Sequence, residues 1–83
     1  MKIKNEVIRY WLTHYYLRKI GKRFPDFFIK LIDEVTDNYN EKRVMKERYV
    51  NGKKFEVISL DLNIDISYVF RLHRQVIEKL ILL

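Results

Sequence analysis

The chain of 83 residues contains no cysteine. Disulfides and thiolate zinc sites are thereby excluded. The absence agrees with a reducing cytoplasm, the expected location. Proline occurs once and glycine twice, so there is no glycine-rich phosphate loop. Gly21, Pro25 and Gly52 serve as punctuation instead. Histidine is scarce too. His14 and His73 fall in different segments without a carboxylate pair at ligand spacing, which argues against a metal site, and His73 is expected at the edge of the last helix. Asp33, Glu34 and Asp37 read as a solvated acidic face, because no calcium loop surrounds them. Neither Ser59 nor Ser67 stands in an arrangement with a base. No enzymatic activity and no cofactor are expected. Apolar runs are only a few residues long, far short of a membrane span. The charged start Met1–Lys4 is not followed by a signal-peptide core.

Hydrophobic residues nonetheless make up 48% of the chain and aromatics 14%, enough for a folded core and too many for a disordered chain. The net charge of +6 is uneven. Residues 1–24 hold seven Lys/Arg against one Glu, residues 25–52 five against six acids, and residues 53–83 five against four. The excess in the first segment suits a polyanion such as nucleic acid; an ordinary solvated helix surface is the alternative.

The periodicity predicts an all-α, five-helix single domain. Residues 1–39 are expected to pack as a helical segment on residues 40–83. The first helix, Ile3 to Ile20, carries two adjacent stripes, Ile3-Val7-Trp11-Tyr15 and Ile8-Leu12-Tyr16-Ile20, and ends at Gly21. The second opens at Phe24-Pro25-Asp26, with Phe27, Phe28, Leu31, Ile32 and Val35 as its core stripe. After a turn at Asp37–Asn40, Asn40 caps a third helix, Glu41 to Val50, which points Val44, Met45 and Tyr49 inward and stops at Asn51-Gly52. The fourth, Lys54 to Leu62, buries Phe55, Ile58 and Leu62. Asn63 suits a left-handed exit and Asp65 an N-cap for the fifth, Ile66 to Leu82, with Val69, Leu72, Val76, Ile77 and Leu80 inward. Trp11, Tyr15, Tyr16, Phe24, Phe27 and Phe28 are expected to fill the core, a partner surface being the alternative.

The last two helices, joined at Asn63-Ile64-Asp65, have the form of a helix-turn-helix. Ser59 gives the small residue at which they cross, and Ile64 plugs the turn. Ser67, Arg71 and Arg74 recur at i, i+4 and i+7 on the outward face, flanked by Tyr68 and Gln75, residue types that bond base edges and phosphates. An ordinary helical hairpin with a solvated face is the other reading. Arg18, Lys19, Lys22 and Arg23, astride Gly21, make either a phosphate clamp or a solvated helix end.

The stretch from Asn40 to Leu80, about half the chain, resembles the C-terminal, region 4-like promoter-recognition domain of bacterial sigma factors. It is also similar to small phage and mobile-element regulators of the ArpU/RinA type. The matching positions are Arg48-Tyr49, Gly52, Glu56, Ile58-Ser59, Leu62, Ile64, Asp65 and Lys79-Leu80; Ile66 and Phe70 stand where that family often has polar or basic residues. The resemblance implies a small sequence-specific transcription regulator that binds double-stranded DNA. In it Ser67, Tyr68, Arg71 and Arg74 face the major groove and Lys53 and Lys54 hold phosphates. The rival is an adapter of the same fold that grips RNA polymerase or another regulator with little DNA contact. A homodimer, supported by the apolar end Ile81-Leu82-Leu83, is a further expectation.

Overall fold

A computed structural model describes residues 2–82, with side chains from Arg9 onward. Its described residues form five α-helices and no strand: α1 (Lys2–Arg23), α2 (Pro25–Val35), α3 (Tyr39–Met45), α4 (Phe55–Leu62) and α5 (Ile66–Ile81). A wide helical turn, Lys46–Val50, prolongs α3; there the Asn51 N–H reaches back five residues to the Lys46 carbonyl at 3.1 Å. None of the described helices is long and apolar enough to cross a membrane.

The first helix does not end at Gly21 but runs on to Arg23. Its break comes from Pro25, which forces Phe24 out of the helical region (φ −132°, ψ 66°) by the clash that restricts any residue before proline. Gly21 has another task. A Cβ built there would lie 2.4 Å from the Tyr49 carbonyl oxygen, so α1 touches the backbone of the wide turn directly. This contact fixes which face of α1 is inward. Leu17 and Gly21 are buried, and Tyr10, His14 and Ile20 are partly so. Of the two predicted stripes only Ile20 packs inward, while Trp11, Leu12, Tyr15 and Tyr16 are exposed. Ile3, Val7 and Ile8 lie outside the residues whose side chains are described.

The aromatic cluster assigned to the core divides likewise. Phe28 is fully buried, but Phe24 and Phe27 are about 60% exposed. Helix α2 points Phe28 and Ile32 at α1 and α5, and Phe27 lies about 100° round the helix from Phe28. Leu17, Phe28, Ile32, Met45, Tyr49, Val76 and Ile77 make one core cluster, drawn from both halves of the chain. Val44, Ile58, Val69 and Leu72 make a second beneath α4.

The cap of α3 is Asn38 rather than Asn40: its side-chain oxygen accepts the Glu41 N–H at 3.0 Å. Starting the helix there buries Glu41, which accepts from the Thr36 hydroxyl at 2.6 Å and from the Lys79 ammonium at 2.8 Å. A buried carboxylate is tolerable because it is paired and hydrogen-bonded, and this one ties the α2–α3 junction to α5.

The α4–α5 junction follows the local code closely. Asn63 takes the left-handed conformation (φ 55°, ψ 47°). Asp65 caps α5 by accepting the Ser67 N–H at 3.2 Å. Ser59 donates its hydroxyl to the Ile64 carbonyl at 2.7 Å, and the Ile64 N–H returns to the Ser59 carbonyl at 3.1 Å. Ile64 packs against the second core cluster but is only partly buried.

Two substitutions test this packing by denaturation. Gly21→Ala is expected to destabilise at or above the upper end of the ~1–3 kcal/mol typical of overpacking, because the obstacle is backbone. Ile64→Ala is expected to fall below the ~2–5 kcal/mol of a fully buried large-to-small change. An unchanged midpoint for Gly21→Ala means that α1 does not approach Tyr49 as described.

Candidate functional site

Folding brings the two histidines together. The Tyr49 hydroxyl lies 2.8 Å from His14 Nδ1 and 2.5 Å from His73 Nε2. A phenol has one O–H to give, so at most one imidazole nitrogen accepts it. The other bonds the Tyr49 oxygen only by carrying a hydrogen of its own. Tyr49 and His73 are buried and His14 is partly buried. Burial lowers the His73 pKa to about 4, aided by His14 and by Arg48. His14 is also lowered, by burial first and then by Arg48 and Arg18. The Tyr49 phenol is pushed well above its usual value by burial. The cluster is therefore neutral near pH 7.

From it an aromatic wall extends outward. His73 stacks on Tyr49 with ring centres 5.7 Å apart, Phe55 meets His73 edge-on at 5.2 Å, and Phe70 meets Phe55 at 5.1 Å. The Arg48 guanidinium lies over the Phe55 ring at 4.4 Å and donates to the Lys53 carbonyl at 3.1 Å. Stacking and hydrogen bonding hold it in place while its charge stays available.

Above this wall is an open groove of about 700 Å³ between α1 and α5. Tyr10, Trp11 and His14 line it from α1, and Ser67, Phe70, Arg71, His73 and Arg74 from α5, with Arg48 and Phe55 between. Arg48 also lines a neighbouring hollow with Arg18 and Lys22, and those two line a third with Tyr15, Lys19 and Arg23. The three depressions form one track with seven Lys/Arg and, among the described residues, no Asp or Glu on its walls. Such a surface attracts anions, and its field is strongest where low-dielectric walls confine it.

The track unites two groups that the sequence left apart, Ser67, Arg71 and Arg74 with Arg18, Lys19, Lys22 and Arg23. It does not take in the others. Lys53 is held by Glu47 at 3.0 Å and Asp61 at 2.8 Å, so its charge is already neutralised by two acids. Lys54 is exposed at the start of α4, Gln75 is exposed on α5, and Tyr68 packs against the second core cluster. The Ser67 hydroxyl bonds to Asp65, as part of the α5 cap. Sequence reasoning missed Arg48, the link between the depressions, along with Trp11, His14 and the Phe55–Phe70 pair. The one available signal was Arg48-Tyr49 itself, two adjacent residues that a helix end can send to a groove and to the core. Among the described residues no group of three or more His, Cys, Asp or Glu could hold a metal ion. No family model, curated protein or solved structure matches the chain.

The neutral His73 gives a pH dependence whose sign is fixed. In the fold it protonates at about 4, against an ordinary value of 6.5. Between these values the unfolded chain binds more protons, so stability is full above about pH 6.5 and is lost as pH falls toward 4. The gap corresponds to roughly 3 kcal/mol, with His14 acting in the same direction. Thermal unfolding should show the midpoint falling over that window, and His73→Gln should flatten the curve. A wild-type midpoint that stays level from about pH 7 to about pH 4.5 would contradict the buried neutral imidazole.

Proposed function

We propose that the chain is a small DNA-binding transcription regulator in which α4 and α5 act as a helix-turn-helix. The observation that carries this reading is the cationic track, lined by no acid among the described residues, from Arg71 and Arg74 through Arg48 to Arg18 and Lys22. Phosphate contacts supply most of the affinity of such proteins, and a continuous line of cations serves them better than scattered lysines. Arg71 and Arg74 project from the exposed side of α5, where a guanidinium reaches the guanine edge in a major groove. In this reading α5 reads the bases, while Arg18, Lys22 and Arg48 hold the backbone. Lys54 remains a phosphate contact beside α4, and Lys53 acts through the structure it braces.

A second reading rests on Leu12, Tyr16, Phe24 and Phe27. These large apolar side chains are all about half exposed or more, as expected of a surface that meets a protein. That partner would be RNA polymerase, another regulator or a second copy of the chain.

Duplex binding at two salt concentrations, followed by anisotropy of labelled DNA, tests the first reading. Arg71→Ala is expected to cost ~1–3 kcal/mol on the preferred site and little elsewhere. Arg18→Ala with Lys22→Ala should weaken all duplexes alike and lower the salt slope by about two. Lys53→Ala should leave the slope nearly unchanged, because Glu47 and Asp61 already balance its charge. If the wild type binds no duplex at low salt, the protein-adapter reading takes its place.

A further inference from the structure

The groove between α1 and α5 has properties that reading a duplex does not require. It is concave, and its volume of about 700 Å³ falls within the range of about 300–1,000 Å³ typical of sites that enclose a small ligand. Its floor is aromatic and uncharged: His73, Phe55 and Phe70 run in edge-to-face contact. One wall is Trp11, the only tryptophan of the chain, about 60% exposed. Its indole meets His14 edge-on at 6.0 Å, which leaves much of the ring free. Three arginines stand round the opening, and none of them makes an ion pair among the described residues.

Each of these features asks something of the ligand. The exposed rings of Trp11 and Phe70 ask for a flat, polarisable ring. Arginines without an ion pair among the described residues ask for an anion with several acceptor oxygens, which guanidinium meets two bonds at a time. The neighbouring hollow lined by Arg18, Lys22 and Arg48 asks for a further anion along the same line. A base with its phosphate, followed by the next phosphate of a strand, meets all three demands.

We infer that the groove takes an unpaired nucleotide of a nucleic-acid strand, its base against Trp11 and Phe70 and its phosphates on Arg48, Arg71 and Arg74. The strand then continues along Arg18 and Lys22. This goes beyond the duplex reading and does not depend on it. A protein with both properties favours DNA that is partly opened over one that is fully paired, since a duplex must unpair a base to fill the groove.

Trp11 is a built-in reporter, because a stacked base quenches indole fluorescence. The protein is titrated with thymidine monophosphate, with an oligothymidylate of about twelve nucleotides and with a fully paired duplex, at about 50 mM salt. The oligonucleotide is expected to quench Trp11 and to bind much more tightly than the mononucleotide. Equal affinity for the two assigns the groove to a free nucleotide and overturns the strand. In anisotropy with a labelled oligothymidylate, Arg71→Ala with Arg74→Ala and, separately, Trp11→Leu should each weaken binding about tenfold or more. Exposed positions make both variants safe for folding. If duplex binds and the single strand neither quenches Trp11 nor binds, this inference fails and the duplex reading stands. If the single strand quenches and binds while the duplex does not, the inference stands and the duplex reading fails. Binding of the oligonucleotide without quenching, or unchanged in Trp11→Leu, overturns the stacking site.

Discussion

Tyr49 is the point at which four helices meet, and the rest of the fold depends on its position. Its carbonyl is the surface against which α1 closes at Gly21. Its ring lies 5.6 Å from that of Phe28 on α2, and its hydroxyl bonds His14 of α1 and His73 of α5. Moving any one helix breaks at least one of these contacts. Buried polar groups raise the stakes, because a missing partner leaves a desolvated donor or acceptor worth about 1–3 kcal/mol. An apolar ring in place of Tyr49 would keep the contact with Gly21 but would leave His14 and His73 without their shared partner. The wide turn makes this possible: by adding a residue to the end of α3 it sends Tyr49 to the core, Glu47 to a buried pair with Lys53, and Arg48 to the groove between them.

Charge is divided between two kinds of side chain. Every ion pair among the described residues is made by a lysine: Lys42 with Asp33, Lys53 with Glu47 and Asp61, Lys79 with Glu41. Four of the nine acids of residues 25–65 are thus paired within the fold. Around the groove the cations are arginines instead, supported by rings rather than by acids, as Arg48 is by Phe55 and Arg71 by Tyr68 at 6.0 Å. A guanidinium on a ring keeps most of its donors free and is weakly hydrated, so it would give up little to bind an anion. After this subtraction the unpaired cations among the described residues include those that line the track.

What the sequence made legible was local. Asn63 and Asp65 act on their own neighbours, so the exit of α4 and the cap of α5 could be read from a few residues. The inward faces of α3 and α5 followed from spacing, whereas α4 is apolar on several sides and leaves Val57 and Leu60 exposed. Helix α1 has apolar residues on most of its circumference, and periodicity alone cannot choose among them. The choice was made by Gly21 and His14, residues with no hydrophobic signal, through a partner 28 and 35 positions away (from Gly21 and His14 to Tyr49). Arg48 was hidden for a related reason, because an extra residue in the turn shifts the phase on which a helical wheel relies. The candidate interface was therefore half visible: its arginines on α5 and its cations on α1 could be named, but not the link that makes them one surface.

That surface has a cost in the free protein. Arg18, Lys22, Arg48, Arg71 and Arg74 line adjoining depressions with no acid on their walls among the described residues, and neighbouring like charges repel. The repulsion acts across the seams where α1 meets the wide turn and α5, the joints that Gly21 and the Tyr49 hydroxyl hold. It also lowers the basicity of the imidazoles beneath, since Arg48 contributes to the shifts of both His14 and His73. A protein shaped by stability alone would place an acid there, as it does beside Lys53 and Lys79. An anion lying along the track would lessen that repulsion between helices that are otherwise joined by packing. Binding and stability are then coupled through the same seam. The neutral Tyr49–His14–His73 cluster suits this arrangement: it keeps the helices in register without adding charge of either sign to the groove.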